Sequence, residues 1–209
     1  MQVDLCLIID SSGSIRDNRP ADGSDNWNTQ LEFLSDLIDG FTVGADATRV
    51  GAVVFSGNAR LVFPLDRYNT VGEVQQAINN IAYMGQTTNT PEALRVTREQ
   101  CFNPSTGDRP GVDNLAIIVT DGLPYPPDLR NPALAGAVAL RDTGCTMVAV
   151  GITEAFDEEF LKAMSSPPQI EGQNFFTAID FGELSVIREN VVNAACQGLT
   201  PPSKYVFPQ

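Results

Sequence analysis

Short apolar runs alternate with longer amphipathic stretches along the chain, and this alternation constrains the fold more than any other feature. The apolar runs have the length and composition of buried strands, whereas the longer stretches carry their apolar residues at helical spacing. The predicted strands cover residues 3–9, 48–55, 60–65, 114–120, 146–151 and 174–177. The predicted helices cover residues 27–41, 71–81, 90–101, 132–142, 157–164 and 181–196.

Strands that alternate with helices in this way indicate an α/β fold. We therefore expect a doubly wound, mostly parallel six-stranded sheet that is flanked by helices. Pro64 interrupts the third run and assigns it to an edge of the sheet, because proline cannot donate a hydrogen bond to a neighbouring strand. A single domain is expected over residues 1–197, followed by a Pro-containing tail at 198–209.

The charge of the chain limits its partners. There are 26 acidic and 13 basic residues, which give a net charge of −13. A surface of this sign repels phosphate backbones and anionic lipids, so we expect neither nucleic acid nor a membrane surface as a partner. Membrane insertion is not expected either, since the longest apolar runs fall far short of the roughly 20 residues that span a bilayer.

The sequence contains no histidine. This absence excludes the Ser-His-Asp and Cys-His catalytic arrangements and every zinc or iron centre with histidine ligands. Any metal site in this chain must therefore use oxygen ligands or cysteines.

Polar residues gather where two of the predicted strands end. Asp10 closes the first strand and is followed by Ser-Ser-Gly-Ser at 11–14, and Asp121 follows the strand at 114–120. A third polar cluster, at 86–90, directly precedes a predicted helix. Taken singly, such residues are most often helix N-caps or turns. Together they fall at one edge of a parallel sheet, where two carboxylates and several hydroxyls would suit a hard cation such as Mg²⁺, Mn²⁺ or Ca²⁺.

Three motifs resemble the von Willebrand factor A domain, the fold that is shared with the integrin inserted domains. DSSGS (10–14) has the Asp-x-Ser-x-Ser pattern of this family, MGQTTNTPEALR (84–95) is similar to its second metal loop, and IIVTDGLP (117–124) to its third. The motifs occur in the family's order, and the resemblance extends over nearly the whole chain. It implies a Rossmann-like doubly wound fold.

The resemblance also implies a metal-ion-dependent adhesion site (MIDAS). Carried over residue by residue, the ligands are Asp10, Ser12, Ser14, Thr88 and Asp121. The neighbouring threonines of the second motif remain alternatives to Thr88. The expected ion is Mg²⁺, with Mn²⁺ and Ca²⁺ as alternatives, and an acidic side chain of the partner would complete its coordination.

The resemblance implies that the chain is a secreted, non-catalytic adhesion module of the extracellular matrix. Collagen or another matrix protein is the expected partner, and the long polar segment at 16–26 is most similar to A domains of invertebrate matrix proteins. One alternative is a structural domain of matrix assembly whose metal site is unused. A second is a metal-dependent phosphohydrolase with Asp10 as nucleophile. Few basic residues near the three motifs could hold a phosphate group, which counts against this alternative, and Arg16 is the only one beside the first motif.

The four cysteines, Cys6, Cys101, Cys145 and Cys196, form no Cys-x-x-Cys pair. They fit either two disulfides in a secreted protein or buried thiols in an intracellular one. In a parallel sheet, the start of the first strand and the end of the last helix lie at the same edge. We therefore expect a Cys6–Cys196 disulfide, with Cys101–Cys145 as the second.

Overall fold

A computed structural model describes residues 2–17, 25–152, 157–178 and 180–198 of the chain. Its strands are β1 (Val3–Asp10), β2 (Thr48–Phe55), β3 (Ala59–Phe63), β4 (Asp113–Thr120), β5 (Thr146–Ile152) and β6 (Phe175–Ala178). They form a six-stranded sheet in the order β3-β2-β1-β4-β5-β6. Only the β2–β3 pair is antiparallel. The mostly parallel sheet and the edge position of the third strand confirm the predictions from the sequence. The predicted tail lies almost wholly outside the described residues.

The α-helices are α1 (Gly13–Asp17), α2 (Asn26–Ile38), α3 (Val71–Asn79), α4 (Thr90–Val96), α5 (Arg130–Arg141), α6 (Glu158–Met164) and α7 (Leu184–Gly198). Two details differ from the predicted helices. The short helix α1 begins inside the first polar motif, where a loop was expected. The helix predicted over 90–101 is divided into α4 and a π-helical turn at Thr97–Cys101, which ends on a cysteine.

Helices cover both faces of the sheet. Helices α2, α3 and α7 pack on one face and α4, α5 and α6 on the other, each around its own cluster of buried apolar side chains. This arrangement explains why β1 is buried along its full length, including its two aspartates, and why its sequence reads as a continuous apolar run rather than an alternating one. No helix among the described residues is both long and apolar enough to cross a membrane.

The order of the strands reverses at β1. The chain first adds β2 and β3 on one side of β1, and then β4, β5 and β6 on the other side. In an open α/β sheet, the crevice beyond the carboxyl ends of the strands at such a switch point is the usual place for a ligand. Here the carboxyl ends of β1 and β4 border that crevice, which is where Asp10 and Asp121 lie.

The disulfide prediction was wrong. The structure joins Cys6 to Cys101, with the Cα atoms 6.5 Å apart, so it contains neither the Cys6–Cys196 nor the Cys101–Cys145 bridge. Cys6 lies midway along β1 and faces the π-helical turn that ends at Cys101, rather than standing at the far edge of the sheet. Cys145 is a buried free thiol, and burial raises its pKa. The side chain of Cys196 lies outside the described residues.

Gly51 makes room for this disulfide. It lies opposite Cys6 in the β1–β2 pair, and a Cβ atom at this position would stand 2.8 Å from the Cys101 Sγ atom and 3.3 Å from the Phe63 carbonyl oxygen. A methyl group cannot fit at these distances without displacing the π-helical turn or the neighbouring strand.

We therefore predict that Gly51→Ala lowers the free energy of unfolding by about 1–3 kcal/mol, the usual cost of overpacking a core. Gly72→Ala is the matched control, because no atom beyond its own turn of helix lies within 4 Å of the added Cβ and alanine is the better helix former. Urea denaturation of the oxidised chain measures both variants. An unfolding midpoint for Gly51→Ala equal to that of Gly72→Ala would contradict the close approach of β2 to the disulfide.

Candidate metal centre

Asp10 and Asp121 are brought together by the pairing of β1 with β4. Ile9 lies opposite Val119 in this parallel pair, so both strands end at the same height. The Thr120 hydroxyl donates a hydrogen bond of 2.6 Å to Asp10 Oδ2. The last residue of β4 thus connects the two strand ends directly.

The first loop (residues 10–14) extends the hydrogen bonding from Asp10 to Asp121. The Ser12 main-chain N–H donates to Asp10 Oδ1 at 2.9 Å, and the Ser12 and Ser14 Oγ atoms are 3.1 Å apart. The Ser14 hydroxyl then donates to Asp121 Oδ1 at 2.9 Å. Four of the five predicted ligands, from both strand ends, therefore lie in one connected group.

Thr88 belongs to the second loop (residues 84–90), which lies between the first loop and the third (residues 121–125). Its main-chain oxygen accepts a 3.0 Å hydrogen bond from the N–H of Tyr125, and Gln86 pairs with Ser12 in a parallel bridge. Thr88 is 7% exposed. The adjacent Thr87 is exposed, and its hydroxyl lies beside Gly57, on the β2–β3 turn.

The buried carboxyl group of Asp10 has no countercharge among the described residues. The carboxyl group is fully buried, and burial raises its pKa, although hydrogen bonds from Thr120 and Ser12 act in the opposite direction. Among the described residues, no lysine or arginine forms an ion pair with Asp10. A buried carboxylate without a countercharge is unfavourable, and a bound cation would relieve that cost.

The available donors fit a hard cation. They are carboxylate and hydroxyl oxygens, the ligands that Mg²⁺, Mn²⁺ and Ca²⁺ take in proteins. Within the described parts of the chain, no three Asp, Glu or Cys residues converge on one point. The candidate centre therefore combines two carboxylates with neutral hydroxyls, which leaves it little excess negative charge once a divalent ion is bound.

Two further residues position these loops and were not predicted from the sequence. The Ser56 hydroxyl, just beyond β2, accepts a 2.7 Å hydrogen bond from the Gln86 N–H and donates to the Thr87 carbonyl at 3.1 Å. The Gln30 side chain, on α2, donates to the Asp10 carbonyl at 2.8 Å. The sequence contains a feature that could have indicated each of them. Ser56 follows a strand at the same edge as Asp10, and Gln30 is a polar residue on the apolar face of its helix.

Asp25 has a structural role at this edge. It caps the N-terminus of α2 by accepting from the Trp27 N–H, and it forms an ion pair with Arg16 at 2.9 Å. Arg16 is therefore already engaged by a carboxylate. The remainder of the polar segment, residues 18–24, lies outside the described residues.

Fold and edge site together define a doubly wound α/β domain with an oxygen-lined candidate cation site. The family profile of the von Willebrand factor type A domain matches residues 4–190. The chain belongs to this family, as its three motifs predicted.

Two relatives of this chain are a matrilin and a collagen chain. Matrilin-4 of Homo sapiens is 32% identical over 197 residues, which are 93% of this chain and 29% of the matrilin. The collagen alpha-1(XII) chain of Notophthalmus viridescens is 28% identical over 211 residues, which are 98% of this chain and 21% of the collagen. The chain thus spans less than a third of either relative.

A solved structure of proximal thread matrix protein 1 from the mussel byssus, with a zinc-occupied MIDAS motif, superposes with a TM-score of 0.79. It is 28% identical, and the match covers 93% of this chain and 46% of that one. This neighbour confirms the likeness to an invertebrate matrix protein that the polar segment at 16–26 indicated.

We predict that Thr120→Val, measured without divalent cations, lowers the free energy of unfolding by about 1.5–3 kcal/mol, because it removes a hydrogen bond to a buried charged group. Thr146→Val makes the same chemical change at the start of β5, at the opposite edge of the sheet, and should cost less than about 0.5 kcal/mol. Denaturant unfolding in EDTA measures both. Equal losses in the two variants would show that the Thr120–Asp10 bond contributes nothing specific to the site.

Proposed function

We propose that the chain is a non-catalytic adhesion module that binds an acidic side chain of a protein partner through a divalent cation, Mg²⁺ in the first place. The ion would be held by Asp10, Ser12, Ser14, Thr88 and Asp121. The observation that carries this proposal is the group of carboxylate and hydroxyl oxygens at the switch point of the sheet. Hydrogen bonds connect this group, one of them through the Ser12 main-chain N–H. When bound, the ion supplies positive charge and a coordination position for an oxygen ligand from another molecule.

The charge of the chain gives the cation a second role. With a net charge of −13, the protein surface repels an acidic partner over long distances. A carboxylate would bind here only where a local positive charge outweighs that repulsion. Because the hydroxyl ligands are neutral, only the two aspartates offset the charge of a divalent ion. The ion then removes the local negative charge of the centre and offers a further carboxylate a coordination position.

Apolar side chains border the candidate centre. Tyr125 is 60% exposed and Leu123 is 37% exposed, both in the third loop. The main-chain N–H of Tyr125 donates to the Thr88 carbonyl, so Tyr125 lies next to the second loop. An exposed aromatic ring beside a polar centre is typical of the residues that dominate binding energy in protein interfaces.

An extracellular matrix setting is the proposed location, and collagen or another matrix protein is the proposed partner. A collagen chain and a byssal matrix protein among the relatives support this assignment. The Cys6–Cys101 disulfide supports it independently, since such bonds persist mainly in secreted proteins.

The test is binding to immobilised matrix proteins, collagen among them, in Mg²⁺ and in EDTA. We predict that EDTA abolishes binding and that Asp121→Ala weakens it by at least about tenfold, the cost that changes around a metal site commonly carry. Asp128→Ala is the control, because it removes the same charge from an exposed position seven residues further along the chain.

Binding that is insensitive to both EDTA and Asp121→Ala would contradict metal-mediated adhesion and would favour a structural matrix domain with an unused centre. Equal losses for Asp121→Ala and Asp128→Ala would point to a general effect of charge.

A second prediction separates the partner surface from the metal centre. Tyr125→Ala should weaken partner binding by about 5- to 30-fold, the range of an interface residue worth 1–2 kcal/mol. It should leave Mn²⁺ affinity unchanged, because the main-chain bond to Thr88 does not need the side chain. Titration calorimetry of Mn²⁺ and of the partner measures the two effects, and a parallel loss of both would contradict a role confined to the partner surface.

A further inference from the structure

The Tyr83 side chain lies against the first loop on the side of its carbonyl groups. We propose that Tyr83 is a positioning residue of the metal centre, which holds the first loop in the conformation that turns the Ser12 and Ser14 hydroxyls toward the ion. This inference rests on the proposed function. It concerns a residue that the sequence motifs do not assign to the centre and that provides no ligand itself.

The contacts of the Tyr83 hydroxyl carry the proposal. It lies 2.9 Å from the Ser12 carbonyl oxygen and 3.2 Å from the Gly13 carbonyl oxygen, so the two carbonyl groups share its single donated proton. The Ser12 and Ser14 hydroxyls have other partners: the Ser12 Oγ atom lies next to Ser14 Oγ, and the Ser14 hydroxyl donates to Asp121. The loop therefore has a carbonyl side, which Tyr83 holds, and a hydroxyl side, which belongs to the candidate centre.

The residues after Tyr83 hold the preceding part of the same loop. The Met84 N–H donates to the Ser11 hydroxyl at 2.8 Å, and the Gly85 N–H donates to the Ser11 carbonyl at 2.8 Å. Three consecutive residues thus bind three consecutive residues of the first loop. Of these three, only Tyr83 acts through its side chain, and it reaches the two carbonyls nearest the serine ligands.

Gly85 permits this arrangement. Its φ angle is +66°, and a Cβ atom there would stand 2.8 Å from the Cε1 atom of the Tyr83 ring. A residue with a side chain would be strained at this φ and would push the ring away from the loop. The backbone at Gly85 can therefore pass close over the ring and still reach Ser11.

The ring of Tyr83 is itself held in place from two sides. The Arg16 guanidinium lies 4.2 Å from the ring centroid, and the Trp27 ring centroid is 5.5 Å away. Asp25 binds Arg16 through two hydrogen bonds, of 2.9 and 3.2 Å. The hydroxyl therefore sits at the end of a supported side chain, which is the condition for a residue that fixes the geometry of others.

Preorganisation is the physical effect of these contacts. The first loop consists of small residues, and without its partners it would sample several conformations that an ion must select from at an entropic cost. Hydrogen bonds to its carbonyl groups restrict the loop before the ion arrives. Removing one such donor should therefore appear as a weaker affinity for the ion.

The experiment compares Tyr83→Phe with the unchanged chain by titration calorimetry with Mn²⁺. The substitution keeps the ring and its contacts with Arg16 and Trp27 and removes only the hydroxyl. We expect the dissociation constant for Mn²⁺ to rise by about threefold to tenfold, as for the loss of one hydrogen bond. The relaxation rate of water protons caused by the bound Mn²⁺ should also increase, because a loosened set of ligands lets more water molecules coordinate the ion.

Tyr68→Phe is the matched control. It makes the same change at a tyrosine that packs on Phe63, with ring centroids 5.3 Å apart, away from the loops. Its Mn²⁺ affinity should equal that of the unchanged chain. Unfolding in EDTA is measured for both variants, so that a change in fold stability is separated from a change in the centre.

The outcomes are distinct. If the unchanged chain binds Mn²⁺ and Tyr83→Phe binds it equally well, the positioning role is wrong and the proposed function stands, whatever happens to fold stability. If the unchanged chain binds no Mn²⁺, both the proposed metal centre and this inference are overturned.

Discussion

Strands β1 and β4 run side by side in parallel, with Ile9 opposite Val119, and the whole arrangement at the carboxyl edge of the sheet depends on this register. Asp10 and Asp121 come from distant parts of the sequence, and only this pairing gives them a common position. The hydrogen bond from Thr120 to Asp10 closes the junction between the two strands. A shift of one residue in the register would turn these side chains to opposite faces of the sheet.

The loops that carry the candidate ligands are held mainly by main-chain groups and buried hydroxyls. Ser11, Ser56 and Tyr83 each bind main-chain atoms of a neighbouring loop, so these hydrogen bonds fix the loops relative to one another. Arg16, the basic residue next to the first loop, is held by Asp25.

Much of this structure could be predicted from the sequence, because the strongest signals are local. Apolar runs predicted the strands, and the position of Asp10 and Asp121 at strand ends predicted that they would meet. The disulfide could not be predicted in this way. The spacing of cysteines along the chain does not show which helix end lies beside Cys6 in the folded sheet. The π-helical turn that brings Cys101 over the sheet has no recognised sequence pattern.

The supporting residues of the site were missed for a different reason. Tyr83 and Gln30 act on main-chain carbonyls of the first loop, and no sequence motif reveals which backbone atom a side chain will reach. Motifs describe ligands well because the ion demands particular atoms. The residues that hold those ligands in place can be of many types, and only the three-dimensional contacts identify them.

We propose that Asp10, Ser12, Ser14, Thr88 and Asp121 form one divalent-cation centre. The most direct measurement is a crystal structure of the chain grown with Mn²⁺, with anomalous diffraction recorded at the manganese edge. We expect a single strong anomalous peak within bonding distance of the Ser12 and Ser14 hydroxyls, at the ends of β1 and β4. No peak at saturating Mn²⁺, or a peak bound only by other residues, would contradict it.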